Sequence, residues 1–201
     1  MTDSFRLLSL PRRPWLDPEL LQNTFLERSR LCHPDRVHEA GETERKDAHD
    51  RYVALNAAFQ QLREPRTRLL HLIELERGHP PADVQEIPHE TTDLFMKVGQ
   101  VSREVDQFLK AHAGHTSAIL KAQRLLQAQP LVARLQEVQS ILNDWEQHLV
   151  EDLKRVDASW DTPPENPDLR LRDLEQLYRL LSYQDRWARQ LRERMFLLST
   201  P

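Results

Sequence analysis

The tripeptide His33-Pro34-Asp35 lies between two segments with helical periodicity. An amphipathic segment runs from Pro18 to Cys32, and after a short polar loop a second helical segment covers residues 43–63. A proline disfavours the α-helical conformation of the residue before it, so the first helix must end at the tripeptide. The sequence therefore predicts a helical hairpin with this tripeptide at its tip.

The composition predicts an all-α protein. The chain has four glycines and thirteen prolines, and most prolines fall between apolar-periodic segments. The net charge is −4 without a long basic block, which argues against nucleic acid as the main partner. No apolar run is long enough to cross a bilayer, so we expect no membrane partner. A single cysteine and an early amphipathic helix favour a cytoplasmic location.

The prolines also mark the predicted organisation of the first part. A short helix is expected at about residues 3–9, and Asp17-Pro18 is a typical N-cap followed by proline at the first helical position. After Pro65, residues 69–75 are apolar nearly all round and must be covered on more than one side, which predicts a position between two domains.

Residues 77–90 carry three prolines and a glycine and are the predicted linker. The predicted domains are thus residues 1–76 and 91–201, the second a bundle of three long helices. Breaks are expected at Gly114, at Pro130 and at the proline cluster of residues 163–167, with a continuous helix over residues 112–130 as the alternative. An apolar seam with the spacing that an antiparallel bundle needs is formed by Leu131, Leu135, Val138, Leu142, Trp145, Leu149 and Val156.

The first helix of the bundle predicts a partner surface. Its core stripe consists of Leu94, Val98, Val101, Val105 and Phe108. Phe95 and Met96 point away from that stripe, on the same outward side as Gly99, Gln100 and Arg103. An exposed Phe–Met pair indicates a partner surface, and the alternative is that another helix of the bundle covers the pair.

Residues 3–75 resemble the J-domain of the HscB-type co-chaperones of iron–sulfur cluster assembly. The similarity covers Asp3–Pro11, the His-Pro-Asp tripeptide, Leu55–Pro65 and Arg66–Leu72. The resemblance implies a J-domain hairpin joined by a short linker to an antiparallel three-helix bundle, in an L-shaped arrangement. It also implies a co-chaperone that stimulates the ATPase of an HscA- or DnaK-type chaperone and delivers an IscU-type scaffold protein to it.

In J-domains the tripeptide triggers ATP hydrolysis in the chaperone, and basic residues of the preceding helix steer the approach. The resemblance thus implies a chaperone-binding set of His33, Pro34, Asp35, Arg28, Arg30 and Arg36. Two positions depart from the family, since Cys32 replaces a usual tyrosine and Arg28 a commonly buried leucine. We expect the Arg28 side chain to extend outward along its stem. The alternative is that the tripeptide only ends a helix.

The resemblance also implies that Phe95, Met96 and Tyr183 bind the scaffold. Gly99 replaces a usual leucine, and Gln100 and Arg103 replace usual acidic residues, so the predicted patch is smaller and more positive. Either the scaffold has compensating changes or the client differs.

Neither a resident cofactor nor catalysis by the chain itself is expected. His112 and His115 are three residues apart, but the intervening Ala113-Gly114 indicates that a helix ends there, so the two histidines do not form a rigid pair of metal ligands. The sequence also has no Cys-x-x-Cys motif. We expect solvated or capping histidines and no metal site. Without a nucleophile–base constellation or a phosphate loop, the protein is predicted not to be an enzyme. A further alternative is a helical adaptor whose His-Pro-Asp is vestigial.

Overall fold

A computed structural model describes residues 2–32, 41–82, 91–114, 117–163 and 167–200. Within these ranges the chain forms seven helices and no strand, which confirms the all-α prediction. The helices are α1 (Ser4–Leu8), α2 (Pro18–Leu31), α3 (Glu42–Arg63), α4 (Pro65–Arg77), α5 (Thr92–Ala111), α6 (Ala118–Ala158) and α7 (Pro167–Ser199). None of these helices is long and apolar enough to cross a membrane.

The contacts divide the chain into two compact units. The first unit consists of Met1–Ala82 and Val150–Tyr178, and the second of Asp83–Leu149 and Arg179–Pro201. The last turns of α6 and the first turns of α7 thus belong to the first unit. The predicted domains are each one continuous stretch of chain, separated at residues 77–90. The units defined by contacts are not continuous, because Val150–Tyr178 groups with the N-terminal residues.

Acidic side chains cap the first two helices, and the sequence predicts the second of these caps, at Asp17. The Asp3 carboxylate accepts a hydrogen bond from the Arg6 N–H at 3.1 Å. The Asp17 carboxylate accepts from the Glu19 N–H at 2.8 Å, and Pro18 occupies the first turn of α2. Each cap satisfies a first-turn amide that has no partner within its own helix.

The predicted helical hairpin is formed by α2 and α3. The rings of Phe25 and Phe59 stack between these helices with their centroids 4.5 Å apart. Leu21, Ala58 and Leu62 are buried. Apolar positions spaced at the helical period thus face inward from both helices and join them through burial.

Helix α4 lies in the core of the first unit. Leu69, Leu72 and Ile73 are fully buried, which agrees with a segment covered on more than one side. His71 is also fully buried, and of the two roles expected for the histidines, solvated or capping, it takes the capping one. Its Nε2 accepts the Ser4 N–H at 3.0 Å, so it caps the first turn of α1 from inside the core. Burial lowers the pKa of the His71 imidazole.

The second unit is built around the predicted seam of α6 and the core stripe of α5. Leu135 and Leu142 are fully buried, and Val138 and Leu149 are nearly so. From α5 the buried residues are Val98, Val101 and Val105, and from α7 they include Tyr183, Trp187, Ala188 and Leu191. The periodicity of these segments therefore predicted their buried faces correctly.

The predicted break at Pro130 is wrong. Pro130 lies inside α6, which continues from Ala118 to Ala158. A proline inside a helix removes one N–H, here the donor to the carbonyl of Leu126. Pro130 is exposed and the Leu126 side chain is 73% exposed, so water can replace the lost hydrogen bond on this side of the helix.

Candidate functional site

The predicted chaperone-binding residues lie at and beyond the end of α2. The helix ends at Leu31, and Cys32 is its buried C-cap, with Sγ 3.6 Å from the carbonyl oxygen of Ser29. His33, Pro34, Asp35 and Arg36 lie outside the described residues. Their roles stay a prediction.

Arg28 is half-buried and anchors the hairpin to α1. Its Nη1 donates to the carbonyl oxygen of Leu7 at 2.9 Å, and its Nη2 donates to the Ser9 hydroxyl. Both acceptors lie at the C-terminal end of α1, where carbonyls lack helical partners and a cation is favourable. The side chain extends along its stem as predicted, but its head group reaches polar groups of the protein. Chaperone binding by Arg28 stays a prediction.

Arg30 is exposed in the last turn of α2, where a cation can attract an acidic partner. Beside it, Leu31 is 74% exposed. Leu31 is not among the predicted site residues, although its position directly before the helix end and its apolar character are visible in the sequence. The described end of this helix thus presents a cation next to an apolar side chain.

The predicted client-binding pair is accessible. Phe95 is 39% exposed and Met96 is 56% exposed, while Leu94 and Phe108 are partly buried against the core. Within the second unit, Phe95 contacts Trp187 of α7, with the ring centroids 6.1 Å apart. The neighbouring helix therefore supports the base of the pair and leaves its outer surface open, contrary to the alternative of a covered pair.

Behind Phe95 lies a group of aromatic side chains from α6 and α7. The Trp187 ring lies 5.5 Å from Tyr183 and 5.7 Å from Trp145. Tyr183 is only 8% exposed, and the Arg186 guanidinium lies 5.7 Å from its ring centroid. Tyr183 is thus close to the pair but mostly buried, and binding through it stays a prediction.

Trp187, which joins Phe95 to Tyr183, is not among the predicted site residues. Its spacing of four residues from Tyr183 on one helix is a signal that could have placed both rings on one face.

Gly99, Gln100 and Arg103 lie on the outward side of α5, as predicted. A Cβ atom at Gly99 would meet only Nη1 of Arg103, at 3.6 Å. Gln100 donates to the Glu104 carboxylate at 3.1 Å, and Glu104 is also paired with Arg134. Because Glu104 is engaged in this way and Arg103 is exposed, the outward side of the helix is positive.

The described ranges contain no cluster of three or more histidine, cysteine or acidic residues that could hold a metal ion. His112 is the C-cap of α5, as expected, with Nδ1 2.8 Å from the carbonyl oxygen of Phe108. Its Nε2 lies 2.9 Å from Oε1 of Gln127, while His115 lies outside the described residues.

The architecture of this chain is similar to that of two solved protein structures. No protein-family model matches the chain. The structure is similar to the chaperone HscB from Vibrio cholerae, with a TM-score of 0.60, 18% identity and 96% of each chain covered. It is also similar to the human co-chaperone protein HscB, with a TM-score of 0.57, 17% identity, and 100% of this chain and 86% of that chain covered. The chain therefore has an HscB-type fold.

Proposed function

We propose that this protein is a J-domain co-chaperone that delivers an IscU-type iron–sulfur scaffold protein to an HscA- or DnaK-type chaperone in the cytoplasm. The observation that carries the proposal is an HscB-type fold over nearly the whole chain, together with His-Pro-Asp between α2 and α3. Fold alone does not establish function, so the proposal depends on the residues at two surfaces.

At the first surface, His33, Pro34 and Asp35 engage the ATP-bound chaperone and stimulate its ATPase. Arg30 supports this role because it is exposed directly before the tripeptide and can steer an acidic partner. Arg36 would add a second cation. Arg28 contributes mainly by fixing α2 to the end of α1 through its hydrogen bonds to Leu7 and Ser9. ATP hydrolysis takes place in the chaperone, so the co-chaperone itself is not an enzyme and needs no cofactor.

At the second surface, Phe95 and Met96 hold the client. Trp187 supports the Phe95 ring from behind, so little side-chain freedom remains to be lost when a partner binds. Met96 is flexible and adapts to the shape of the client. Binding of chaperone and scaffold to one co-chaperone raises the effective concentration of the scaffold at the chaperone.

A pair of variants tests this division of roles. His33→Gln should abolish ATPase stimulation and leave scaffold binding unchanged. The double variant Phe95→Ala with Met96→Ala should lose scaffold binding but retain basal stimulation of the chaperone. Val53→Ala is the matched control, because Val53 is 51% exposed on α3. Loss of both activities in either variant, with helicity unchanged by circular dichroism, would contradict the proposal.

A second candidate function is favoured by the residues that surround Phe95 and Met96 on the outward side of α5. Gly99 and Arg103 make the outward side of α5 less apolar and more positive than the resemblance implies. The protein would then be a J-domain co-chaperone for a different client. Calorimetric titration with an IscU-type scaffold from the same organism separates the two functions, since only a co-chaperone that delivers this scaffold has to bind it.

A further inference from the structure

The first half of α6 carries a second apolar stripe on the side opposite its core stripe. The exposed stripe consists of Ile119, Ala122, Leu126, Pro130 and Ala133, spaced three or four residues apart. Ile119 is 71% exposed and Leu126 is 73% exposed. At about 100° per residue these five positions fall within one narrow sector, whereas the buried Ala128 and Leu135 lie on the other side. A helix whose core face is already packed does not need this stripe for its own fold.

The charge around the exposed stripe argues against a strongly charged partner. Lys121 and Arg124 lie toward the core side of α6, and Arg124 donates to the carbonyl oxygen of Leu197 at 3.0 Å. Arg134 flanks the stripe but is paired with Glu104 of α5. The polar residues that border the stripe over its length are otherwise Gln123, Gln127 and Gln129, all exposed. An acidic protein or an anionic lipid surface would find little positive charge here.

A bilayer is also disfavoured by the backbone of α6. Pro130 supplies no N–H to the carbonyl of Leu126, so this carbonyl needs another donor. Hydrocarbon offers none, whereas a protein partner with amide side chains does. The neighbouring glutamines provide that chemistry on an identical helix.

The order of side chains along the exposed stripe is self-complementary. When two copies of α6 pair antiparallel with Leu126 facing Leu126, Ile119 of one copy faces Ala133 of the other. In the same register Ala122 faces Pro130, and Gln123 lies beside Gln127 of the other copy on one flank of the seam. The two leucines thus meet at the centre, the bulkier Ile119 meets a small residue at each end, amides meet amides, and no like charges are opposed. This is the arrangement that an isologous two-fold interface requires.

We propose that the exposed stripe is a dimerisation surface, occupied by the same stripe of a second copy of this chain in antiparallel orientation. The stripe spans about 21 Å at a rise of about 1.5 Å per residue. An interface of one helix pair is small, so the dimer is weak and forms in the micromolar range. The surface is distinct from the Phe95–Met96 pair, and the proposal does not depend on the co-chaperone function.

Sedimentation equilibrium of the full chain from about 1 to about 200 μM tests the association. The wild-type chain should change from monomer to dimer over this range. Leu126→Glu should weaken the dimer at least about tenfold, because it brings two carboxylates together in an apolar seam. Leu169→Glu is the matched control, since Leu169 is 53% exposed on α7 outside the stripe, and it should dimerise as the wild type does.

Cross-linking tests the orientation in a Cys32→Ala background. With oxidised glutathione as the oxidant, Leu126→Cys should form a disulfide with the same residue of a second copy, and Ile119→Cys should form one with Ala133→Cys when the two variants are mixed. Ile119→Cys alone should remain reduced. A monomer at every concentration, a dimer insensitive to Leu126→Glu, or cross-linking of Ile119→Cys with itself would overturn the proposal. A monomer that binds lipid vesicles through the stripe would overturn it as well.

Discussion

The main-chain N–H of Ser4 donates to Nε2 of His71 at 3.0 Å, which joins the first turn of α1 to the buried face of α4. The ring of His71 also stacks on Phe5, with the centroids 5.8 Å apart. An Nε2 atom that accepts a hydrogen bond carries no proton, so the imidazole in the fold is neutral. Its Nδ1 atom has no hydrogen-bond partner among the described residues.

This contact predicts a loss of stability in mild acid. Burial holds the pKa of His71 below its ordinary value of 6.5, so the unfolded chain binds the proton more readily than the folded one. The free energy of unfolding should therefore be fully retained above pH 6.5 and fall as the pH decreases below it. Urea denaturation at a series of pH values measures this. His71→Gln keeps a hydrogen-bond acceptor for Ser4 but does not titrate, so its free energy of unfolding should fall less with decreasing pH than that of the wild type. An equal fall in both proteins would contradict the assignment of this acid sensitivity to His71.

Arg28 should matter for stability, because its guanidinium satisfies carbonyl and hydroxyl groups at the end of α1. Arg28→Met keeps most of the stem but removes these hydrogen bonds, and we expect a loss of about 1 to 2 kcal/mol in the free energy of unfolding. Arg30→Met is the control, since Arg30 is exposed, and it should weaken chaperone binding without changing stability. Equal stabilities of the two variants in urea would contradict this assignment.

Gly99 limits both the helix propensity of α5 and the apolar area of the proposed client-binding surface around Phe95 and Met96. The position has room for a side chain, because a Cβ atom there would meet only Nη1 of Arg103 at 3.6 Å. Gly99→Ala should raise the free energy of unfolding by about 0.5 to 1 kcal/mol. Gly99→Leu should give a similar gain and also bind the client more tightly, as titration calorimetry would show. Weaker client binding by Gly99→Leu than by Gly99→Ala would contradict a client surface at this position.

Pro130 destabilises α6 without ending it. Pro130→Ala restores an N–H that can donate to the carbonyl of Leu126. In the interior of a helix, proline is less favourable than alanine by about 3 kcal/mol. We expect the variant to be more stable by about 1 to 3 kcal/mol in urea, and its new amide to be protected from hydrogen exchange. A decrease in stability would indicate that the helix around this residue requires the proline.

The features that the sequence predicted depend on neighbours within one helix. Asp17 caps α2 through an amide two residues away, and the core stripes of α5 and α6 follow from the helical period. The accessibility of Phe95 and Met96 follows from the same period, because a residue that leaves the core stripe of an amphipathic helix turns outward.

The features that the sequence did not predict depend on distant partners. Arg68 is only 3% exposed and donates through Nε to the carbonyl oxygen of Pro14 at 2.8 Å, a residue 54 positions earlier. Burial lowers the pKa of Arg68 to about 10. The Phe95–Trp187 contact likewise joins two helices that are far apart in the chain. Periodicity cannot reveal such pairs, because it reports which side of a helix is buried and not what it meets.

The continuity of α6 through Pro130 has a different cause. Proline is a strong local signal for a helix end, but packing of Ala128, Leu135 and Leu142 on both sides of it stabilises the helix by more than the missing hydrogen bond costs. The stabilisation from packing in the core is therefore larger here than the local tendency of proline to end a helix.

The proposed function requires that this chain couple a client to the ATPase of a chaperone through His33, Pro34 and Asp35. The most direct test is single-turnover ATP hydrolysis by an HscA- or DnaK-type chaperone from the same organism, with and without this protein and an IscU-type scaffold. His33→Gln serves as the matched inactive variant. We predict stimulation by the wild-type chain, a further increase with scaffold, and no stimulation by His33→Gln. Equal hydrolysis rates with and without the wild-type protein would contradict the claim and favour a helical adaptor with a vestigial tripeptide.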